Sequence, residues 1–473
     1  MTQITTERIK YCVSDFLTAA LGWFVFNIIR VYTIPTGAGD SVRQFFRDPM
    51  VVAGQIVVPV AMVLLYALSG SYNRSNTLYK SRLDELVNTF VVSFTGMLGI
   101  FFTALINDMI PERLTNYEIM LVLLACLFIP TAIARMFIIS RNIVRIRRGV
   151  YAMNTLVTGA LPENSHKLRD IMDSEVHSGL RIVGCADTDG SCTTSTLEGL
   201  PVYHDEDIGE LCRRIGIQAI IVMPSAKGLS YTADLINRLY LLDIPMFVTP
   251  DIHSMMAVRP RVSQVTAEPL VDITNANVSP ASVNLKRLGD IVVSALALVA
   301  LSPLYAALAL AVKIDSPGPV LYRQTRIGYH KKPFRINKFR TMAVDAEATG
   351  PALASDNDPR VTRLGRILRK YRLDELPQFW NVLKGEMSLV GPRPEREYYI
   401  NQIIKRYPSY SLIHQVRPGI TSWGMVKYGY AADVDQMIAR LPYDMLYIEN
   451  VSLAVDLKIL FHTVNTVLRG RGK

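Results

Sequence analysis

The sequence has 473 residues, half of them hydrophobic, with a mean hydropathy of +0.22 and a formal net charge of +10. That length suits two or three domains, and that hydropathy argues against an ordinary water-soluble surface. Five cysteines (Cys12, Cys126, Cys185, Cys192, Cys212) form neither a CxxC nor a zinc-spaced Cys/His cluster, so they read as reduced thiols and exclude a disulfide framework.

The first 145 residues carry four apolar stretches of roughly 20 residues, the length a helix needs to cross hydrocarbon. They run about Tyr11–Val31, Met50–Leu68, Leu86–Ile106 and Ile119–Ile139 and predict a transmembrane four-helix bundle rather than a soluble helical core. Arg30 and Arg135 fall near the ends of their spans, where snorkelling is expected. Asp15 interrupts the first run and no small-residue cleavage pattern stands out, so no cleavable signal is predicted. Arg8 and Lys10, then Arg74, Lys80 and Arg82, then Arg141, Arg145, Arg147 and Arg148 outnumber the Arg43, Arg47 and Arg113 of the alternate loops. The excess predicts that both ends of the bundle face the cytoplasm.

Residues 146–275 change to a soluble pattern. Apolar segments "NTLVTGA", "LRIVGCADTD", "QAIIVMPS" and "IPMFVTP" alternate with helical ones, which predicts a Rossmann-like, doubly wound α/β domain. Asp187 or Asp189 could serve as a ribose-binding acid. The chain after the first strand, "GALPENS", has Gly159 but lacks the further glycines of a dinucleotide fingerprint, which favours an interaction or regulatory role.

From Ile291 to Val312 the chain is again mostly apolar, with Ser302-Pro303 at its centre. A proline there kinks a helix and leaves each arm too short to cross alone. The segment, about 288–313, is therefore expected to enter the membrane and return on the same side.

The remainder is basic: from Lys313 onward 26 Lys and Arg face 15 Asp and Glu. The cations are interleaved with short rigid motifs, which suits specific phosphate sites better than a diffuse patch. In "FRINKFRTMAVDAE", Lys338 and Arg340 alternate along a predicted strand and precede Asp345 and Glu347, a carboxylate pair beside phosphate-binding cations. Arg363, Arg366, Arg369, Lys370 and Arg372 recur at roughly helical spacing, as expected of a helix lying on anionic headgroups, with Arg363, Arg366 and Arg369 as the headgroup contacts. Asp374-Glu375 reads either as a helix-start signature or as a magnesium contact, and its place in the "DELP" motif argues against the pair as nucleophile. "GPRP" fixes Arg393 between prolines, and "VRPGITSWG" repeats the device around Arg417. A membrane scaffold that senses a ligand would explain the charge but not these rigid arginines, and no nucleic-acid recognition module is visible.

The motifs "YRQTRIG", "KFRTM…DAE", "DPRVTRLGRILR", "LDELPQFWNVLKGEMSLVGPRPE" and "RPGITSWG", in this order over residues 284–473, resemble the bacterial sugar transferases. These are the monotopic phosphoglycosyl transferases, and the four spans and α/β segment resemble their larger members. The resemblance implies a catalytic domain seated by a re-entrant helix on the cytoplasmic side of the bacterial inner membrane. It further implies transfer of a hexose 1-phosphate from a UDP-sugar (UDP-glucose or UDP-galactose type) to undecaprenyl phosphate, with Mg2+ and an aspartyl-phosphosugar intermediate, at the start of capsule, exopolysaccharide or O-antigen synthesis. Carried onto this chain it implies Asp345 as nucleophile and Glu347 as partner, both as metal ligands with Glu375 as a third, although Asp-Ala-Glu departs from an adjacent Asp-Glu pair. Lys338, Arg340, Arg393, Arg417, Arg326 and Gln324 are the expected nucleotide-sugar contacts. A homo-oligomer remains compatible with all of this.

Overall fold

The computed structural model describes residues 3–33, 46–47, 49–73, 82–105, 113–148, 150, 152–159, 165–173, 179–188, 190, 194–204, 207–223, 229–242, 244–249, 271–272, 279–343, 346, 358–431 and 433–468. Four long helices, α1 (Gln3–Thr33), α2 (Pro49–Leu68), α3 (Arg82–Ile100, continued by a π-helical turn Phe101–Leu105) and α4 (Arg113–Arg147), form the amino-terminal bundle. All four are long and apolar enough to cross a membrane. Their outer faces expose Leu17, Val57, Val91 and Ile133, while Phe26, Met62, Leu123 and Leu127 fill the centre. Apolar side chains facing both ways are the mark of a bundle solvated by lipid.

Arg135 does not snorkel. It is wholly buried, donating from Nε to Asp15 Oδ1 at 2.8 Å and from Nη2 to Asp15 Oδ2 at 2.6 Å, and it also pairs with Glu85. The guanidinium lies 3.7 Å above the Tyr66 ring centroid, and Tyr72 donates to Asp15 at 2.7 Å. The acid that interrupts the first apolar run is thus the partner of the arginine in the fourth, and mutual neutralisation lets both stay inside the bundle.

The middle unit is a seven-stranded sheet of order β3-β4-β2-β1-β5-β6-β7. Its strands are β1 (Met153–Thr158), β2 (Leu180–Asp187), β3 (Thr196–Leu197), β4 (Leu200–His204), β5 (Ala219–Val222), β6 (Met246–Val248) and β7 (Val271–Asp272). The five central strands pair in parallel, and β3 and β7 close the edges antiparallel. Helices α5 (Ser165–Asp173), α6 (Ile208–Ile215) and α7 (Leu229–Leu239) cover it. Asp187, a proposed ribose acid, accepts from Gly190 N in the turn after β2 at 2.9 Å and lies 3.3 Å from His204 Nδ1 at the end of β4. Asp189 lies outside the described residues.

Helices α8 (Pro280–Ala300) and α9 (Ser302–Asp315) meet at a 63° bend. Pro303 has no N–H to give the carbonyl of Val299, and Ser302 Oγ donates to that carbonyl instead at 2.8 Å. The polar amino-terminal half of α8 is stapled to the carboxyl-terminal unit. Lys286 pairs with Asp456 at 2.6 Å, Arg287 donates to the carbonyls of Val382 and Leu383 at 2.6 and 2.9 Å, and Asp290 accepts from Leu389 N at 3.1 Å. The same end of α8 touches the bundle, where Asn284 donates to the Ala67 carbonyl at 2.6 Å.

The carboxyl-terminal unit continues with an antiparallel pair, β8 (Leu321–Ile327) and β9 (Pro333–Phe339), then α10 (Arg363–Lys370) and α11 (Gln378–Lys384). A short parallel pair, β10 (Ser388–Val390) and β11 (Gly419–Thr421), comes next, with α12 (Glu397–Arg406), α13 (Trp423–Lys427), α14 (Val434–Glu449) and α15 (Leu453–Leu468) around it. A Cβ on Gly391 would lie 2.2 Å from the Arg417 carbonyl, and one on Gly419 2.1 Å from Gly391 N. Both arginine motifs therefore need glycine, because the two backbones cross in contact.

Candidate active site

The site is assembled on three supports. Strand β9 carries Lys338 and is pinned by Asn381 of α11, which accepts from Asn337 N at 3.1 Å and donates to the Arg335 carbonyl at 2.8 Å. The 3-10 turn Leu373–Glu375 precedes α11 and presents two buried acids. Helix α9 packs beneath through Leu308 and Val312 against Phe339 and Leu368, and Tyr305 donates to the Leu376 carbonyl at 2.7 Å. The bent helix pair thus supports the acidic turn from beneath.

Neither acid caps α11, whose first turn has no side-chain cap bond. Glu375 Oε1 instead receives Lys338 Nζ at 2.8 Å and both Arg393 terminal nitrogens at 3.4 Å, while Oε2 is buried without a hydrogen-bond partner. Burial alone would raise the Glu375 pKa, but Lys338, Arg393 and Arg372 outweigh it and hold the carboxylate well below its usual range. Asp374 is the converse case. Burial and the neighbouring Glu375 push it up to about 6 against the pull of Lys338. Among the described residues its carboxyl makes no hydrogen bond or ion pair, so of the two acids Asp374 is the one left available to an incoming group.

Arg393 also rests 4.8 Å from the centroid of the Tyr430 ring and donates to Met425 Sδ at 3.3 Å. Arg372 lies 5.1 Å from the same ring. It adopts φ 53° and ψ 25°, a left-handed conformation that costs a side-chain-bearing residue roughly 1–2 kcal/mol. Sequence reasoning misses this pairing and Tyr430 altogether, because Arg372 looks like one more cation on a helical row.

The other expected contacts divide. Arg340 is buried past the end of β9 and donates through Nη2 to Ser316 O and Oγ at 2.6 and 2.8 Å, while its Nε and Nη1 have no partner. Arg326 is half-buried behind the "GPRP" loop, donating to Glu395 and to the Pro394 carbonyl, each at 3.2 Å. Arg440 completes that pair at 2.8 Å from Glu395, which the two arginines hold ionised against the cost of burial. These are struts of the loop that carries Arg393. Arg417 donates to the Gly385 carbonyl at 3.0 Å and lies over Tyr329, away from Glu375. Gln324 is at the surface beside Tyr322. Arg363 and Arg366 are exposed on α10 next to exposed Ile367, whereas Arg369 turns inward to Thr341 Oγ1 at 2.9 Å. Asp345 and Glu347 lie outside the described residues. Among the described residues no group of three or more His, Cys, Asp or Glu could hold a metal ion, and the unpartnered Glu375 Oε2 is one oxygen suited to a cation.

Four helices long enough to cross a membrane, joined to a unit that buries a cluster of cations around two acids, mark a membrane-associated protein with a charged interior site. Residues 281–470 match the family model described as bacterial sugar transferase. The chain is 42% identical over 235 residues to UDP-N-acetylgalactosamine-undecaprenyl-phosphate N-acetylgalactosaminephosphotransferase of Aeromonas hydrophila, covering 50% of this chain and 55% of that protein. It is 40% identical over 233 residues to UDP-glucose:undecaprenyl-phosphate glucose-1-phosphate transferase of Escherichia coli K12, covering 49% and 50%. It is 41% identical over 199 residues to exopolysaccharide production protein PSS of Rhizobium leguminosarum, covering 40% of this chain and 98% of that protein. The chain belongs to the bacterial sugar transferase family. It spans about half the length of the first two relatives.

Proposed function

We propose that the protein transfers a hexose 1-phosphate from a UDP-sugar to undecaprenyl phosphate, releasing UMP and initiating synthesis of a cell-surface polysaccharide. The observation that carries this reading is the buried Lys338–Glu375–Arg393 cluster with Asp374 beside it, seated on the bent membrane helix pair. Lys338 and Arg393 would bind the donor diphosphate and neutralise the charge that develops as its bridging bond breaks.

The chemistry is a double displacement. A carboxylate oxygen attacks the sugar-bearing phosphorus, a new O–P bond forms, and the bond to the second phosphate breaks with UMP as leaving group. The polyprenyl phosphate oxygen then attacks the aspartyl phosphosugar, which restores the carboxylate and yields the lipid diphosphosugar. Taking the substrates in turn lets one small site serve two large phosphorylated ligands. Two carboxylates compete for the nucleophile. Asp345 follows the motif order, but Asp374 has the geometric support, since it is buried, unpaired and beside the cations. Magnesium, when bound, supplies further neutralisation of the diphosphate, and Asp345, Glu347 and Glu375 are the acids that would hold it.

The 63° bend supports a helix pair that enters and leaves one leaflet, with the catalytic unit on the cytoplasmic side of the inner membrane, where UDP-sugars are found. The glucose and galactose donors expected here stand beside the N-acetylgalactosamine of one relative's name. The test is UMP release when purified protein, Mg2+ and undecaprenyl phosphate are incubated with each UDP-sugar in turn. Release with one donor supports the reading, and no release with any donor rejects it.

A further inference from the structure

Arg372 joins α10 to the acidic turn through a strained backbone, donating its N–H to the Arg369 carbonyl at 3.1 Å and accepting from Glu375 N at 3.2 Å. Its left-handed φ of 53° takes the side chain off the row of Arg363 and Arg366 and onto the Tyr430 ring, 5.1 Å from the centroid, where Arg393 also lies at 4.8 Å. Two like charges have been brought to one aromatic ring. The guanidinium of Arg372 makes no hydrogen bond or ion pair among the described residues, and its Nε is buried without a partner.

Glu375, the nearest acid able to compensate, already takes Lys338 and Arg393 through a single oxygen. The cluster of Lys338, Arg372 and Arg393 against Asp374 and Glu375 therefore retains one excess positive charge whenever both acids are ionised. A ring that gathers two guanidinium groups, one of them unsatisfied, concentrates positive charge that an anion would neutralise. Strain of this kind persists where the surroundings or a ligand reward it.

We propose that Arg372 is a further phosphate-binding residue of the transfer site. With Arg393 gathered at the same Tyr430 ring, it takes a phosphate oxyanion, from the donor diphosphate or from the polyprenyl phosphate headgroup. The inference rests on the transferase reading above and adds to it a residue that neither the strand nor the proline motifs contain.

The test uses the purified full chain in nanodiscs, with UMP release followed while donor and acceptor are varied separately. Arg372→Gly relieves the positive φ but removes the cation, so its thermal midpoint should match or exceed wild type while one KM rises about tenfold or more. A rise for UDP-sugar assigns the diphosphate, and a rise for undecaprenyl phosphate assigns the monophosphate. Arg372→Lys should recover part of the loss, and Tyr430→Leu should raise the same KM. If Arg372→Gly keeps both KM values within about twofold of wild type, or loses thermal stability with kcat falling alone, the inference is overturned. A wild-type protein that releases no UMP from any UDP-sugar overturns the transferase reading itself, and the inference with it.

Discussion

Lys338 Nζ stands 2.8 Å from Glu375 Oε1, and this contact ties strand β9 to the acidic turn of the site. Both side chains are largely buried, so each depends on the other for its charge. Glu375→Gln should leave Lys338 and Arg393 without their shared counter-ion and cost about 3 kcal/mol or more of stability. Thermal unfolding of the purified variant checks this, and a midpoint equal to wild type would show that the pair contributes little. Because the Glu375 pKa is lowered on folding, its contribution is present at neutral pH and is lost as pH falls through the folded value.

Asp374 titrates with the opposite sign. Its pKa is raised to about 6 from a reference of 3.8, so its contribution to stability is present below the reference and is lost as pH rises through 6. As nucleophile it must be ionised, so kcat/KM should fall on the acid side with a limb near pH 6. A profile flat down to about pH 4.5 would contradict the assignment.

Much of this architecture is legible in the sequence because it is written in local patterns. The four apolar runs, the alternating strands and helices of the middle unit and the break at Ser302-Pro303 all come from periodicity and proline chemistry. The partners of charged residues are not local. Arg135 reads as a membrane-surface residue because its counter-ions Asp15 and Glu85 come from two other helices. Arg326 and Arg417 sit in motifs that suggest ligands, yet they bond Glu395 and the Gly385 carbonyl. Arg372 depends on one positive φ that no spacing rule reveals.

The buried bundle network gives a sharp expectation. Arg135→Ala strands Asp15 and Glu85 in a nonpolar interior and should cost about 3–5 kcal/mol, seen as loss of folded protein in size-exclusion chromatography. The triple replacement Arg135→Met, Asp15→Asn, Glu85→Gln should recover most of it. Failure of the triple variant alone would mean that the charges fix the helix register rather than merely balance one another.

Arg287 closes the carboxyl end of α11 by donating to two carbonyls. Arg287→Ala should destabilise the catalytic unit by about 1.5–3 kcal/mol, as expected for charge-assisted hydrogen bonds. Arg287→Lys, which lacks the planar fork, should recover only part. Denaturation followed by tryptophan fluorescence would read both, and an unchanged Arg287→Ala midpoint would remove the staple from the account.

Single cysteines at Ser282 and Asp315, in a background without the native ones, report the course of the bent pair. Both should react with an impermeant maleimide from the cytoplasmic side of inverted vesicles. Reaction from opposite sides would make the pair a single bent span.

The central claim is covalent transfer through a carboxylate in the cationic cluster, and mapping the adduct tests it most directly. The purified protein is incubated with UDP-sugar and Mg2+ without acceptor, quenched in acid, digested and analysed by mass spectrometry. A hexose-phosphate adduct is expected on the peptide holding Asp374, absent from Asp374→Asn and discharged by undecaprenyl phosphate. An adduct on Asp345 instead would move the nucleophile, and no adduct in a protein that turns over would contradict the covalent mechanism.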